Sequence, residues 1–191
     1  MNSRFHTLKF LGLLLTVGLV SSPAIAQSVP LLGTVLATAN ASATILSPLS
    51  IAVSGAGMNF GNIVPSSQLG TVVLAPAGSR TASGGASTMA QAGGSVSAAN
   101  FAVAGQNNAS YSVALPSLAA SLLPQGSAVG APMLVTSFTS DLTATGISTI
   151  WTGALGGAGT GTFNVGATLT VGVNQGAGVY SGTFPVIIFY N

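Results

Sequence analysis

The sequence predicts an all-β sandwich of about 7–9 antiparallel strands, and three observations carry that expectation. The first is a period of two. Phe163, Val165, Ala167, Leu169, Val171 and Val173 are apolar at every second position, with Thr162, Asn164, Gly166, Thr168, Thr170 and Gly172 between them; alternation of this kind places one face of a strand in a core and the other in water. The second is punctuation. Gly55-Ala56-Gly57, Gly84-Gly85, Gln91-Ala92-Gly93-Gly94, Gly105-Gln106-Asn107-Asn108 and Gln175-Gly176-Ala177-Gly178 interrupt the apolar runs, and Gly and Asn accept the positive φ that tight turns need. The third is the missing helical period beyond the first residues.

The elements follow in chain order. Residues 1–26 read as a secretory signal peptide: Arg4 and Lys9 precede the apolar run Phe10–Val20, and Ala24-Ile25-Ala26 is a small-x-small cleavage site. That run is too short for the roughly 20 residues of a membrane-spanning helix, so no stable membrane span is expected. Residues 27–40 form an N-terminal extension and 41–191 the sandwich domain. Strands are expected near 41–53, 58–64, 70–76, 96–104, 110–115, 132–139, 148–155, 160–173 and 179–190. Ser117–Leu123 could form a short helical turn before Pro124. In the last strand Tyr180, Gly182, Phe184, Val186, Ile188 and Tyr190 alternate, but Ile187 and Phe189 make its end apolar on both faces, and that end is expected to be covered on both sides.

Charge excludes more than any motif includes. Beyond residue 26 the sequence holds one Arg (Arg80) and one Asp (Asp141), with no Lys, Glu, His or Cys. General acid–base catalysis, nucleophile activation and metal ligation need several such groups brought together, so the expectation is no enzymatic activity, no catalytic residue, no cofactor and no metal. The formal net charge of +2 resides in the leader, which leaves no basic patch for nucleic acid. With no Cys, no disulfide staples an exported chain, and packing and sheet hydrogen bonds must hold it.

Several local features have a bland and a sharp reading. The glycine-dense stretch Gly153–Gly161 lacks the lysine and hydroxyl of a phosphate-binding loop and reads as a hairpin loop. Asn40-Ala41-Ser42 and Asn108-Ala109-Ser110 match the glycan acceptor pattern, one that arises easily in a Ser- and Thr-rich chain. Asp141, a single carboxylate, suits a turn better than calcium. Trp151 reads as a core or half-buried residue rather than a stacking platform.

Taken together, Ala41-x-Ala43-Thr44-Ile45, Pro48-Leu49-x-Ile51, Asn59-Phe60-Gly61, Ala98-Ala99-Asn100-Phe101-x-Val103-x-Gly105, Tyr111-x-Val113-x-Leu115-Pro116, Gly166-Ala167-Thr168-Leu169-x-Val171, Gly178-Val179-Tyr180-Ser181-Gly182-Thr183-Phe184 and the terminal Tyr190-Asn191 resemble a bacterial secreted family of unknown function, DUF4402. The ending is also similar to spore coat protein U domains and chaperone–usher pilins. The pilin resemblance implies an immunoglobulin-like sandwich short of one strand, completed by an extended segment of another subunit. The candidate donor is the stretch with Leu31, Gly33, Val35, Ala37 and Ala39 on one face, and the candidate acceptor edge is Pro185, Ile187, Ile188, Phe189 and Tyr190. Pro185 points to an edge because proline cannot donate to a ladder. Pro30, Leu32 and Leu36 depart from the donor pattern, and a linker or an own first strand is the alternative for residues 27–40.

The expected function is a non-enzymatic secreted structural protein, a pilin-like subunit of a surface fibre or coat in a Gram-negative bacterium. Its partners would be further copies or related subunits, with a periplasmic chaperone and usher in assembly. A chain without Lys or net charge lacks the usual devices that keep edge strands apart. The alternative is a self-contained extracytoplasmic binding module, with Trp151 or an exposed Tyr stacking on carbohydrate.

Overall fold

The computed structural model describes residues 35–88, 94–147 and 149–191. The chain divides into two units, Met1–Ala43 and Thr44–Asn191. In the first, residues 35–43 are without helix or strand and are exposed. Among its described residues the second contains twelve strands and no helix: β1 (Ser50–Ser54), β2 (Ile63–Leu74), β3 (Arg80–Thr88), β4 (Ala99–Ala104), β5 (Ser110–Ala114), β6 (Ala120–Pro124), β7 (Met133–Ser140), β8 (Thr143–Ala144), β9 (Ile150–Ala154), β10 (Thr160–Val171), β11 (Tyr180–Ser181) and β12 (Ile187–Tyr190). All pairings are antiparallel.

β10 organises the larger, eight-stranded sheet because it is long enough to serve two neighbours on one edge. Thr160–Val165 pair with β4, Ala167–Val171 pair with β2, and β7 lies along the other edge. The order runs β1-β4-β10-β7-β6-β11, with β3 beyond β2. The smaller sheet runs β12-β5-β9-β8. Phe163, Val165 and Leu169 of the larger sheet share one core cluster with Tyr111, Val113 and Trp151 of the smaller. Together these make two antiparallel sheets around a common interior.

The expected strands change at identifiable places. The 41–53 run becomes a strand only from Ser50. The pieces placed at 58–64 and 70–76 join into β2, and Asn59 makes only an isolated bridge to Ser97. Gly84-Gly85, expected as a turn, lies inside β3. There Ser66–Leu69 bulge out of β2, and a Cβ at Gly85 would fall on the Gln68 carbonyl, so the glycines accommodate a bulge. The helical turn expected over Ser117–Leu123 is replaced by β6, whose Leu122 pairs with Met133 and packs against the core. Gly153–Gly161 is a turn between sheets rather than a hairpin loop: the chain leaves β9, closes through Gly159 N to Gly156 O at 2.8 Å, and enters β10. Its first glycine leaves room for the Tyr111 ring.

Two irregularities aim aromatic side chains. Ser137 in β7 takes φ 49° at a register shift against β10, so Phe138 turns inward beside Met133 and Val135 instead of outward. The final run, expected as one strand over 179–190, is two: β11 pairs β6 in the larger sheet and β12 pairs β5 in the smaller. Residues 182–186 carry the chain across. Phe184, in that crossing, meets Phe138 at 4.9 Å and Phe101 edge-on at 6.5 Å, while Phe101 stacks on Phe163 at 5.2 Å. The alternation of Phe184, Val186, Ile188 and Tyr190 survives, all four packing against the core.

Candidate functional site

The two charged side chains of the second unit work on the backbone. Arg80 donates through Nη1 to the carbonyls of Phe60 and, at 3.1 Å, Asn62. Asp141 accepts from the Asn164 backbone N–H and from Asn164 Nδ2, both at 2.8 Å, and Asn164 Oδ1 accepts from Asn100 Nδ2 at 2.8 Å. Each charge ties together strands or loops distant in sequence, which is why one carboxylate and one guanidinium suffice. Among the described residues there is no group of three or more His, Cys, Asp or Glu that could hold a metal, and no helix long and apolar enough to cross a membrane. Burial, and secondarily the charge of Asp141, raises the Tyr111 phenol above its ordinary range.

Aromatic side chains are turned inward or held. Trp151 and Tyr111 are buried. Tyr180 donates to the Gly176 carbonyl at 2.7 Å and accepts from Gln175 Nε2 at 3.0 Å. Tyr190 accepts from the Gln106 backbone N–H at 2.6 Å and donates to the Ser47 carbonyl at 2.8 Å. Gly105 makes that clamp possible, since a Cβ there would strike the Tyr190 hydroxyl.

Around these fixed points lies an edge that no other described strand pairs. β12 pairs β5 through Ile187–Ala114, Ile188–Val113, Phe189–Ser112 and Tyr190–Tyr111 and is the terminal strand of its sheet. Pro185 sits in the crossing just before it, exposed. Ile188 and Tyr190 face the interior, whereas Ile187 is 61% and Phe189 45% exposed. The expectation that this end is covered on both sides is therefore corrected: strict alternation prevails, and two large apolar side chains face outward at the edge.

Beside that edge is a cleft of about 950 Å³. Phe101, Leu169, Val135 and Leu122, from four successive strands of the larger sheet, line it, and its wall includes the segment from Gln175 to Phe184. None of the four strands of the smaller sheet contributes to the lining. Four short strands thus cover only part of the inner face of eight. Phe184 belongs both to the cleft and to the crossing that becomes β12, so edge and cleft adjoin.

Of the candidate donor residues, Val35, Ala37 and Ala39 are exposed and outside any strand, and Leu31 and Gly33 lie outside the described residues. Sequence reasoning missed the cleft, because alternation marks Phe101, Val135 and Leu169 as core without saying whether a strand lies opposite. It also missed the clamp. Tyr190 carried the available signal: a tyrosine at the end of an inward-facing series brings a hydroxyl that needs a partner.

The model of a family described as a domain of unknown function (DUF4402) matches residues 49–190, the stretch that holds both sheets. No curated protein and no solved structure matches the chain.

Proposed function

The chain belongs to the DUF4402 family, and on that premise we propose that it is a non-enzymatic, exported structural subunit, built into a surface fibre or coat by addition of a strand at the open edge of β12. One observation carries the reading: a sheet edge that is unpaired among the described residues, with two exposed apolar side chains, adjoins an apolar cleft in the same sandwich. An edge left bare in water exposes main-chain donors and acceptors as well as apolar surface, and native proteins blunt such edges with Lys, bulges or covers. This edge has no charged residue from Thr183 to Asn191. An added strand would complete the ladder and cover the cleft together, the mode of recognition in which backbone hydrogen bonds give affinity and side-chain pockets give specificity.

The leader features at residues 1–26 support export, and the assignment to a Gram-negative surface rests on the pilin resemblance, as does a chaperone and usher as assembly partners. The composition supports a non-catalytic role, because Arg80 and Asp141 hold backbone and amide groups rather than facing one another across a cleft. A carbohydrate-binding module has less support: Trp151 is buried and the hydroxyls of Tyr180 and Tyr190 are engaged within the fold.

Electron microscopy of the exported protein and of the producing cell surface tests the reading. Regular fibres or a coat containing the chain are expected. A protein that stays monomeric across concentrations, with no assembly on cells, would overturn it.

A further inference from the structure

The floor of the cleft crosses the strands of the larger sheet instead of following one of them. It is drawn from Phe101 of β4, Leu169 of β10, Val135 of β7 and Leu122 of β6. Each of these four strands has a neighbour on both sides within the sheet. Their main-chain donors and acceptors are therefore directed at other strands, and a polypeptide lying on this floor would find none for its own amides, which are costly to bury without partners. A hydrocarbon chain brings no such groups, and contact with apolar surface is all that it needs to leave water.

Size and charge narrow the class further. A volume of about 950 Å³ falls within the roughly 300–1,000 Å³ of small-molecule sites. With neighbouring strands about 4.8 Å apart, the floor from β4 to β6 is about 14 Å across, which suits a long, narrow ligand. Met58 and Met133 add unbranched, adaptable side chains to the lining. No Asp, Glu, Lys, Arg or His is among the described residues that line the cleft. Behind one wall, however, stands Arg80, the single cation beyond residue 26. It donates through Nη1 to the carbonyls of Phe60 and Asn62, both in that wall, and a Cβ at Gly61 between them would strike the same nitrogen. Asp141, the single acid, is not in the lining. The cleft thus combines an apolar length with a positive potential at one wall, the complement of an anion that carries a long apolar tail.

We propose that the cleft binds a free long-chain fatty acid, with the acyl chain over Phe101, Leu169, Val135 and Leu122 and the carboxylate at the wall of Phe60, Gly61 and Asn62, toward Arg80. The inference goes beyond the assembly reading: it concerns what fills the cleft rather than what pairs with β12, and it applies to the single chain.

Calorimetric titration of the exported, delipidated protein with hexadecanoate, kept below its micelle concentration, is the test. One fatty acid per protein is expected. Across the series from octanoate to hexadecanoate, binding should tighten by roughly fourfold for each further methylene buried and level off once the chain outgrows the cleft. 1-Dodecanol should bind more weakly than dodecanoate, and Arg80→Gln should narrow that difference. Ala120→Phe, which adds bulk at a partly buried position of the lining, should weaken hexadecanoate by at least about tenfold, the loss of two buried methylenes. The chain-length series needs no substitution and decides the matter if that variant fails to fold. Absence of saturable binding, an affinity indifferent to chain length, equal affinity for dodecanoate and 1-dodecanol in the native chain, or unchanged binding by a folded Ala120→Phe would overturn the proposal. Fibres formed by a protein that takes up no hexadecanoate would reject this occupant and leave the assembly reading standing.

Discussion

Tyr190 does with one hydroxyl what a loop anchor does with a dozen contacts: it binds the chain entering the domain and the turn after β4 at once. Removing it leaves the Gln106 N–H and the Ser47 carbonyl to find water at a partly buried site, and a group so orphaned costs about 1–3 kcal/mol. Tyr190→Phe should lower the unfolding free energy by that amount, read in urea as a lower midpoint with an unchanged slope; an unchanged midpoint would show the clamp to be dispensable. Gly105→Ala should cost more, because the added Cβ displaces the hydroxyl itself. Tyr111 yields a prediction in pH. Its phenol is held neutral by burial first and by Asp141 second, and the unfolded chain ionises it near pH 10. The raised folded value means that the associated stability is intact below about pH 10 and is lost as pH rises through that value toward the folded one. Unfolding midpoints measured from pH 8 to 11 should therefore fall at the alkaline end, and less steeply in Tyr111→Phe.

Among the elements, β7 shows how an irregular position sets the aromatic contacts. Ser137 at φ 49° flips the alternation so that Phe138 reaches Phe184. A β-branched side chain is strained in that conformation, by about 1–3 kcal/mol, so Ser137→Val should destabilise by that order while Ser137→Gly stays near neutral; thermal melts of the two variants check this, and equal losses would show that side-chain contacts rather than backbone strain matter there. The same element explains what was legible beforehand. The alternation of β10 announced the central strand, because a strand buried on one face is written in its own residues. The bulge at Ser66–Leu69 was not, since Gly84-Gly85 reads identically as a turn or as room for an opposing bulge, and only the paired strand decides. The break between β11 and β12 was hidden for a related reason: Phe184, Val186, Ile188 and Tyr190 keep a period of two through a segment that changes sheets. Open edges and clefts are relations between strands, so Pro185 could hint that the last strand lies at an edge, as β12 does, while nothing in the sequence pointed to the cleft beside it.

At the scale of the whole molecule, export and assembly make a joint prediction. Cleavage after Ala26 should give an intact mass beginning at Gln27 or its cyclised form, and a retained Met1 would contradict the leader. Deleting residues 27–39 should then leave a domain with an unchanged unfolding transition that no longer assembles, because both sheets and the shared core lie between Ser50 and Tyr190. Assembly that survives the deletion would reduce the extension to a linker. The neutrality of that domain belongs to the same scale: charge repulsion keeps many proteins apart, and its absence here lowers the barrier to close contact between copies.

The staple made by Arg80 has one more consequence. Beyond residue 26 it is the single residue after which trypsin can cut, and it opens β3 with its guanidinium on the carbonyls of Phe60 and Asn62 and its backbone paired to Leu74. A protease must draw several residues into an extended, unpaired stretch, which here means peeling β3 from β2. The folded protein should survive trypsin for hours and yield two fragments only after denaturation, read by mass spectrometry; prompt cleavage of the native chain at Arg80 would show that this hairpin opens on its own. Copies of this domain should therefore outlast lysine-rich proteins in trypsin, a protection that does not extend to proteases cutting after the apolar residues in which the chain is rich.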